Sequence, residues 1–239
     1  MNLENLIQPC VSNQENLGLF KVPSTDEIKK VVYGMKALKA PGPDGFPALF
    51  YKHYWDIVKD QLVFAVQSFF LNGRLQKDFN KTFISLIPKK KGAHNFNHFR
   101  PIGLCNVSYK VISKIIVNRL RPLLDKMVDP AQVVVVPNRW INENIVLARE
   151  IVHSFKHTGK KKGFLGIKLD FQKAYDRMEL TFLLEVLRVF GFNSTFVNLI
   201  HQCLSLVEFS LLLNGVNVQV SPTPEALGKV TQYHLICLF

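Results

Sequence analysis

Apolar positions along the chain recur at two spacings, and the switches between them mark a succession of helices and strands. Ser24-Thr25-Asp26-Glu27 is a capping box, and Ile28, Val31, Val32, Met35 and Leu38 follow it on one helical face that must end before Pro41. Pro47 opens a second helix reaching Asn72-Gly73, with apolar contacts from Leu49, Phe50, Trp55, Ile57, Val58, Leu62, Val66 and Phe69. Residues 82–87 are β-branched and aromatic and stop at Pro88, which predicts a strand. Within residues 108–124, Val111, Ile112, Ile115, Ile116, Leu120, Leu123 and Leu124 form a helical stripe opposite Lys110, Lys114, Asn118 and Arg121, with Pro122 as a kink. Val133, Val134, Val135 and Val136 suit a buried strand, and Ile141, Ile145, Ala148, Val152 and Phe155 define a further helix.

The same pattern continues to the far end. Leu180, Leu183, Leu184, Leu187 and Phe190 predict a helix stopped by Gly191, and residues 194–203 a second. Residues 207–213 and 216–220 flank Asn214-Gly215, the signature of a hairpin with a two-residue turn. Residues 1–22 show little periodicity and read as an irregular lead-in.

Residues 164–176 carry the strongest chemical signal. Leu165, Ile167, Leu169 and Phe171 alternate, predicting a strand with one buried face and Asp170 near its end. Lys168 and Lys173 flank that carboxylate, and Tyr175 and Asp176 follow. A hard oxygen ligand on a rigid element in a basic setting suits metal-dependent phosphoryl transfer, although by spacing alone a strand-end aspartate is more often a turn former than a ligand.

Composition narrows the partners. Across 239 residues, 48% hydrophobic content supplies a core, and 30 Lys+Arg against 18 Asp+Glu leave a formal net charge of +12. Such a balance favours a polyanion such as nucleic acid over a membrane, although lysines spread along a chain also serve as a solvated face. Cys10, Cys105, Cys203 and Cys237 have no metal-ligand spacing and read as reduced thiols. No apolar run approaches the roughly 18 residues of a transmembrane helix, and the N-terminus lacks a signal-peptide pattern, so an intracellular, nuclear or cytoplasmic protein is expected.

Two stretches concentrate turn residues and charge. Lys39-Ala40-Pro41-Gly42-Pro43-Asp44-Gly45 holds two prolines and two glycines, as a tight helix-to-helix connector would. Lys89, Lys90 and Lys91 follow the strand at residues 82–87, and the returning segment carries Arg100. A lysine tip is often merely solvated, but a strand, a basic tip and one returning arginine also suit a triphosphate, because the guanidinium fork binds phosphate oxygens while lysine adds point charge.

The run Lys168-Leu169-Asp170, followed by Lys173-Ala174-Tyr175-Asp176-Arg177, closely resembles the first palm motif of reverse transcriptases in the form used by non-LTR (LINE-type) retrotransposons. Residues 39–45 resemble the block that opens that domain, and Leu86 to Lys89 with Phe99 to Leu104 resemble its two fingers motifs. The resemblance covers residues 24–220 and implies an α/β (α+β) fold of helical fingers and a partial palm. In it helices pack on a small, mostly antiparallel sheet, and the thumb is absent. It implies that Asp170 binds catalytic Mg²⁺. Tyr175 would lie under the sugar of the incoming nucleotide and exclude a 2′-hydroxyl, with Phe171 also at the nucleotide. Arg100 would contact the nucleotide phosphates with help from Lys89, and the loop with Lys39 would lie near the template. Lys90, Lys91, Lys160, Lys161 and Lys162 are candidate nucleic-acid contacts. The implied partners are an RNA template, a DNA primer and deoxynucleotides. Lys168, Lys173 and Asp176 match the motif without a derived role.

The resemblance stops before the motifs that would complete the site. Two-metal chemistry needs several carboxylates, which the family takes from a later hairpin with two adjacent aspartates, yet no aspartate follows Asp176. The family also has a Gly-x-Arg-Gln-Gly-Asp-Pro block after the Asn-Gly hairpin, absent from residues 221–239. Back-translating residues 225–237 and starting each codon at the third base of the previous one allows Gly-Phe-Arg-Gln-Gly-Asp-Pro-Ile-Ser-Pro-Tyr-Leu, twelve consecutive agreements. A frameshift near residues 220–225 is therefore expected, dividing the chain into residues 1–23, a partial reverse transcriptase domain at 24–220, and an out-of-frame tail at 221–239. The expected function is that of a fragment of an RNA-directed DNA polymerase, inactive as it stands. The alternatives are a noncatalytic RNA-binding relic or reused module, and an untranslated relic that records ancestry only.

Overall fold

Short-range capping and turn chemistry sets most of the elements in the computed structural model, which describes residues 3–95, 98–133, 136, 139–157, 165–167, 169, 178–205 and 208–219. Helix α1 (Asn13–Phe20) begins at a reciprocal box: the Ser12 hydroxyl accepts from the Glu15 backbone N–H, and the Glu15 carboxylate accepts from the Ser12 N–H at 2.9 Å. Helix α2 (Thr25–Gly34) repeats half of this, with the Ser24 hydroxyl accepting from the Glu27 N–H. Helices α3 (Ala48–His53) and α4 (Trp55–Asn72) follow, and Gly73 closes α4 at φ 62°.

Strands β1 (Lys81–Pro88) and β2 (Phe99–Cys105) form an antiparallel hairpin, and α5 (Val107–Leu120) runs directly out of β2. Pro122 sits in a 3-10 turn at Arg121–Leu123, where its missing N–H costs least, before α6 (Leu124–Met127). Helices α7 (Ile141–His157), α8 (Leu180–Val189) and α9 (Ser194–Ser205) come next, with Gly191 at φ 91° between the last two. Strands β3 (Glu208–Leu213) and β4 (Val216–Gln219) turn through Asn214 and Gly215, both at positive φ as the two-residue turn requires.

The sheet has the order β2-β1-β3-β4. Its outer pairs are antiparallel, whereas β1 and β3 run parallel from Lys81↔Glu208 to Ser85↔Leu212. The hydrophobic core lies among the helices. Ile112, Ile115 and Ile116 of α5 are completely buried there with Val32, Val66, Phe69, Phe196 and Leu199. Buried Tyr109 donates its hydroxyl to the Cys203 carbonyl at 3.0 Å, satisfying a carbonyl in the last turns of α9. Among the described residues the sheet joins this core at one end, where Thr82 and Cys105 face each other and are buried. The described residues thus combine helices with a small mixed sheet, two of whose three strand pairs are antiparallel.

Several local expectations are corrected. Residues 13–20 of the supposed irregular lead-in are helical, because the Ser12/Glu15 box starts α1. Buried Asn16 then ties α1 to the α8–α9 turn, donating to the Gly191 carbonyl and accepting from the Asn193 N–H. Helix α2 stops at Gly34, leaving Leu38 beyond it and exposed. The single helix expected from Pro47 to Asn72 breaks at Tyr54 (φ −102°, ψ 28°), and Leu49 and Ile57 turn to solvent. Val133 and Val136 are buried as expected, but neither belongs to a strand; their segment is held by Arg139, which donates to the carbonyls of Val128, Asp129 and Gln132. Helix α7 forms where its period predicted, yet Ile141, Ile145 and Val152 are exposed, so the stripe is not part of the core.

Candidate nucleotide and nucleic-acid interface

Register fixes what each face of the β1–β2 hairpin presents. Directly paired residues share a face, so Phe83/Leu104, Ser85/Ile102 and Ile87/Arg100 lie on one side and Thr82/Cys105, Ile84/Gly103 and Leu86/Pro101 on the other. The second side enters the core at Thr82 and Cys105, which leaves Arg100 on the opposite, open face. The Lys89 N–H donates to the His98 carbonyl at 2.8 Å and extends the ladder one step past Pro88. Alternation then returns Lys89 to the face of Ile87 and Arg100, about 7 Å away on the diagonal. Arg100, Lys89, Lys90 and Lys91 are all exposed, and Arg100 makes no hydrogen bond or ion pair with another described residue. The hairpin therefore gathers a guanidinium and an ammonium on one side of its tip, with two further lysines following. That arrangement can accept phosphate oxygens.

The loop carrying Lys39 lies elsewhere. Asn106, immediately after β2, accepts from the Asp44 N–H and donates to the Asp78 carbonyl, both at 3.1 Å, and is itself buried. Residues 39–45 are thereby pinned to the end of β2 opposite its tip, about 20 Å from Arg100 along the strand. Burial raises the Asp44 carboxyl pKa, while the Phe46 N–H bonded to it pulls the other way. The role of Asn106 escaped the sequence reading, although an asparagine directly before a helical run was the available signal.

Asp170, Tyr175, Phe171, Lys160, Lys161 and Lys162 lie outside the described residues, as do residues 220–239 with the inferred change of frame. Of the predicted strand through Asp170, residues 165–167 and 169 are described: none is in a strand, and Leu165 (84% exposed), Ile167 (72%) and Leu169 (83%) face solvent. Alternation makes an apolar face, but a strand also needs a hydrogen-bonded neighbour, and none of these residues joins the sheet. Among the described residues no three His, Cys, Asp or Glu side chains converge in a way that could hold a metal ion. A concavity of about 470 Å³ opens at the end of α4, lined by Ser68, Asn72, Arg74, Gln76 and Phe79 among others; no candidate residue borders it. Among the described residues no helix is long and apolar enough to cross a membrane.

The family model described as reverse transcriptase (RNA-dependent DNA polymerase) matches residues 87–228, a span containing Lys89, Arg100, Asp170 and Tyr175. The chain belongs to the reverse transcriptase family. It is 30% identical over 209 residues to the Transposon TX1 uncharacterized 149 kDa protein of Xenopus laevis, covering 85% of this chain and 16% of that protein. It is 25% identical over 170 residues to the Retrovirus-related Pol polyprotein from type-1 retrotransposable element R2 of Nasonia vitripennis, covering 71% of this chain and 16% of that one. Both relatives agree with the LINE-type, non-LTR resemblance of the motifs. The chain thus spans about one sixth of the length of each of these relatives.

Proposed function

We propose that this chain is the fingers and first part of the palm of a LINE-type RNA-directed DNA polymerase. In this reading the β1–β2 tip grips phosphates. The observation that carries it is the placement of Arg100 and Lys89 on one open face of a hairpin in a chain of this family. The family supplies the substrate class: deoxynucleotides added to a DNA primer on an RNA template, with Mg²⁺ at Asp170 and with Tyr175 and Phe171 at the nucleotide. The chain's own part is electrostatic, since a fork and point charges at the tip would hold a polyphosphate or an RNA backbone without reading bases. Lys39, Lys160, Lys161 and Lys162 would extend the same track.

Sequence favours binding over turnover. No aspartate follows Asp176, and residues 225–237 match the missing motif block only in a shifted frame. In this reading the chain is a noncatalytic remnant that retains polyanion binding. The test is affinity for a generic single-stranded RNA at increasing salt. Four tip charges on four phosphates give a slope near −2.8 on logarithmic axes, so affinity should fall roughly fifty-fold between about 50 and 200 mM salt. Arg100→Ala with Lys89→Ala should flatten that slope, and an affinity indifferent to both salt and these substitutions would refute the reading.

A further inference from the structure

We propose that His153 and His157 form a chelating site for a transition-metal ion on the exposed face of α7. The two residues stand four apart and therefore one above the other on the helix. Their Nε2 atoms are 3.1 Å apart and their ring centroids 4.4 Å. Metal–imidazole bonds of about 2.0–2.1 Å separate two donors by about 2.9 Å at a right angle and about 3.4 Å at the tetrahedral angle. The observed separation falls between these limits, so an ion can bridge the rings with only small rotations. Without metal, one Nε2–H donates to the other Nε2. On binding, the donating ring moves its proton to Nδ1 through solvent, both Nε2 lone pairs turn to the ion, and no net proton is released from two neutral rings.

An imidazole pair selects Cu²⁺, Ni²⁺ or Zn²⁺ over Mg²⁺, which prefers oxygen. Arg149 and Glu150, one turn earlier, offset each other in charge, so affinity rests on the two rings. Among the described residues no third ligand converges with them, and water completes the coordination. The bound ion would clip the last turn of α7, immediately before the lysine-rich segment at residues 158–163.

Both histidines are exposed, so their replacement leaves packing intact. Isothermal titration of the full chain with Ni²⁺ should give a site whose affinity falls at least tenfold in His153→Ala and equally in His157→Ala. His94→Ala, which disrupts the other histidine pair (ring centroids 5.1 Å), should leave it unchanged. X-ray absorption of the Ni²⁺-loaded chain should show two imidazole ligands. Wild-type affinity in either α7 variant, loss of the site in His94→Ala, or sulfur in the metal's first coordination sphere would each overturn the proposal.

Discussion

A Cβ added to Gly42 would lie 2.4 Å from both the backbone nitrogen and Oδ1 of Asn106. The loop at residues 39–45 lies against the β2–α5 junction this closely because Gly42 has no side chain there, and the Asp44 N–H can then reach Asn106 Oδ1. Gly42→Ala must therefore push the loop off Asn106. Destabilisation of about 1–3 kcal/mol is expected in urea unfolding, as for overpacking elsewhere. An unchanged midpoint would mean that this contact is not maintained in solution.

Arg119 couples the start of the chain to the centre of the core. It meets Glu27 through Nε at 3.0 Å and a terminal nitrogen at 2.8 Å, donates to the Leu19 and Lys21 carbonyls, and lies 5.0 Å from the centre of the Phe70 ring. Arg119→Ala should cost about 1–3 kcal/mol, because it leaves a partly buried carboxylate and two carbonyls without their donor, while the one-third exposure of Glu27 lets water take part of the load. Arg119→Lys should recover little of this, since an ammonium cannot span both carboxylate oxygens. Full recovery by lysine, seen in thermal unfolding, would reduce the interaction to simple charge.

Acid should loosen α1 first. Lys126 beside Glu15, together with the Ser12 N–H and hydroxyl, holds the Glu15 carboxyl down to about 2 from its ordinary 4.5. A carboxyl depressed on folding contributes stability above its unfolded value and loses it as pH falls, here from about 4.5 towards 2. Stability measured across that window should decline less steeply in Glu15→Gln. Identical acid profiles for the two chains would contradict this coupling.

The chain as it stands should not extend a primer. In the proposed reading Asp170 would need further carboxylates, no aspartate follows Asp176 in the given sequence, and positioning does not replace electrostatic stabilisation of the phosphoryl-transfer transition state. Primer extension on an RNA template with Mg²⁺ and four deoxynucleotides should give no product. A copy with the reading frame restored through the missing motifs is the positive comparison. Templated extension by the unrestored chain, abolished by Asp170→Ala, would show that the carboxylates come from another source, such as Glu208 or a second subunit.

What the sequence determined by itself is local. The β3–β4 turn was legible because Asn214 and Gly215 tolerate positive φ, and the α8–α9 turn because Gly191 does. The proximity of Arg100 and Lys89 was legible for the same reason, since a hairpin returns its own neighbours to one another. Helix α1 could have been found from its capping box, but eight residues with a weak apolar stripe gave periodicity little to detect. Tertiary structure alone decided that β1 pairs in parallel with β3, because nothing near Lys81 encodes Glu208 as its partner. It also decided that Leu165, Ile167 and Leu169 do not build a strand, and that the apolar stripe of α7 stays exposed. A side-chain pattern specifies which face is apolar; whether that face is buried, and whether a strand forms at all, depends on a partner that the local sequence does not contain.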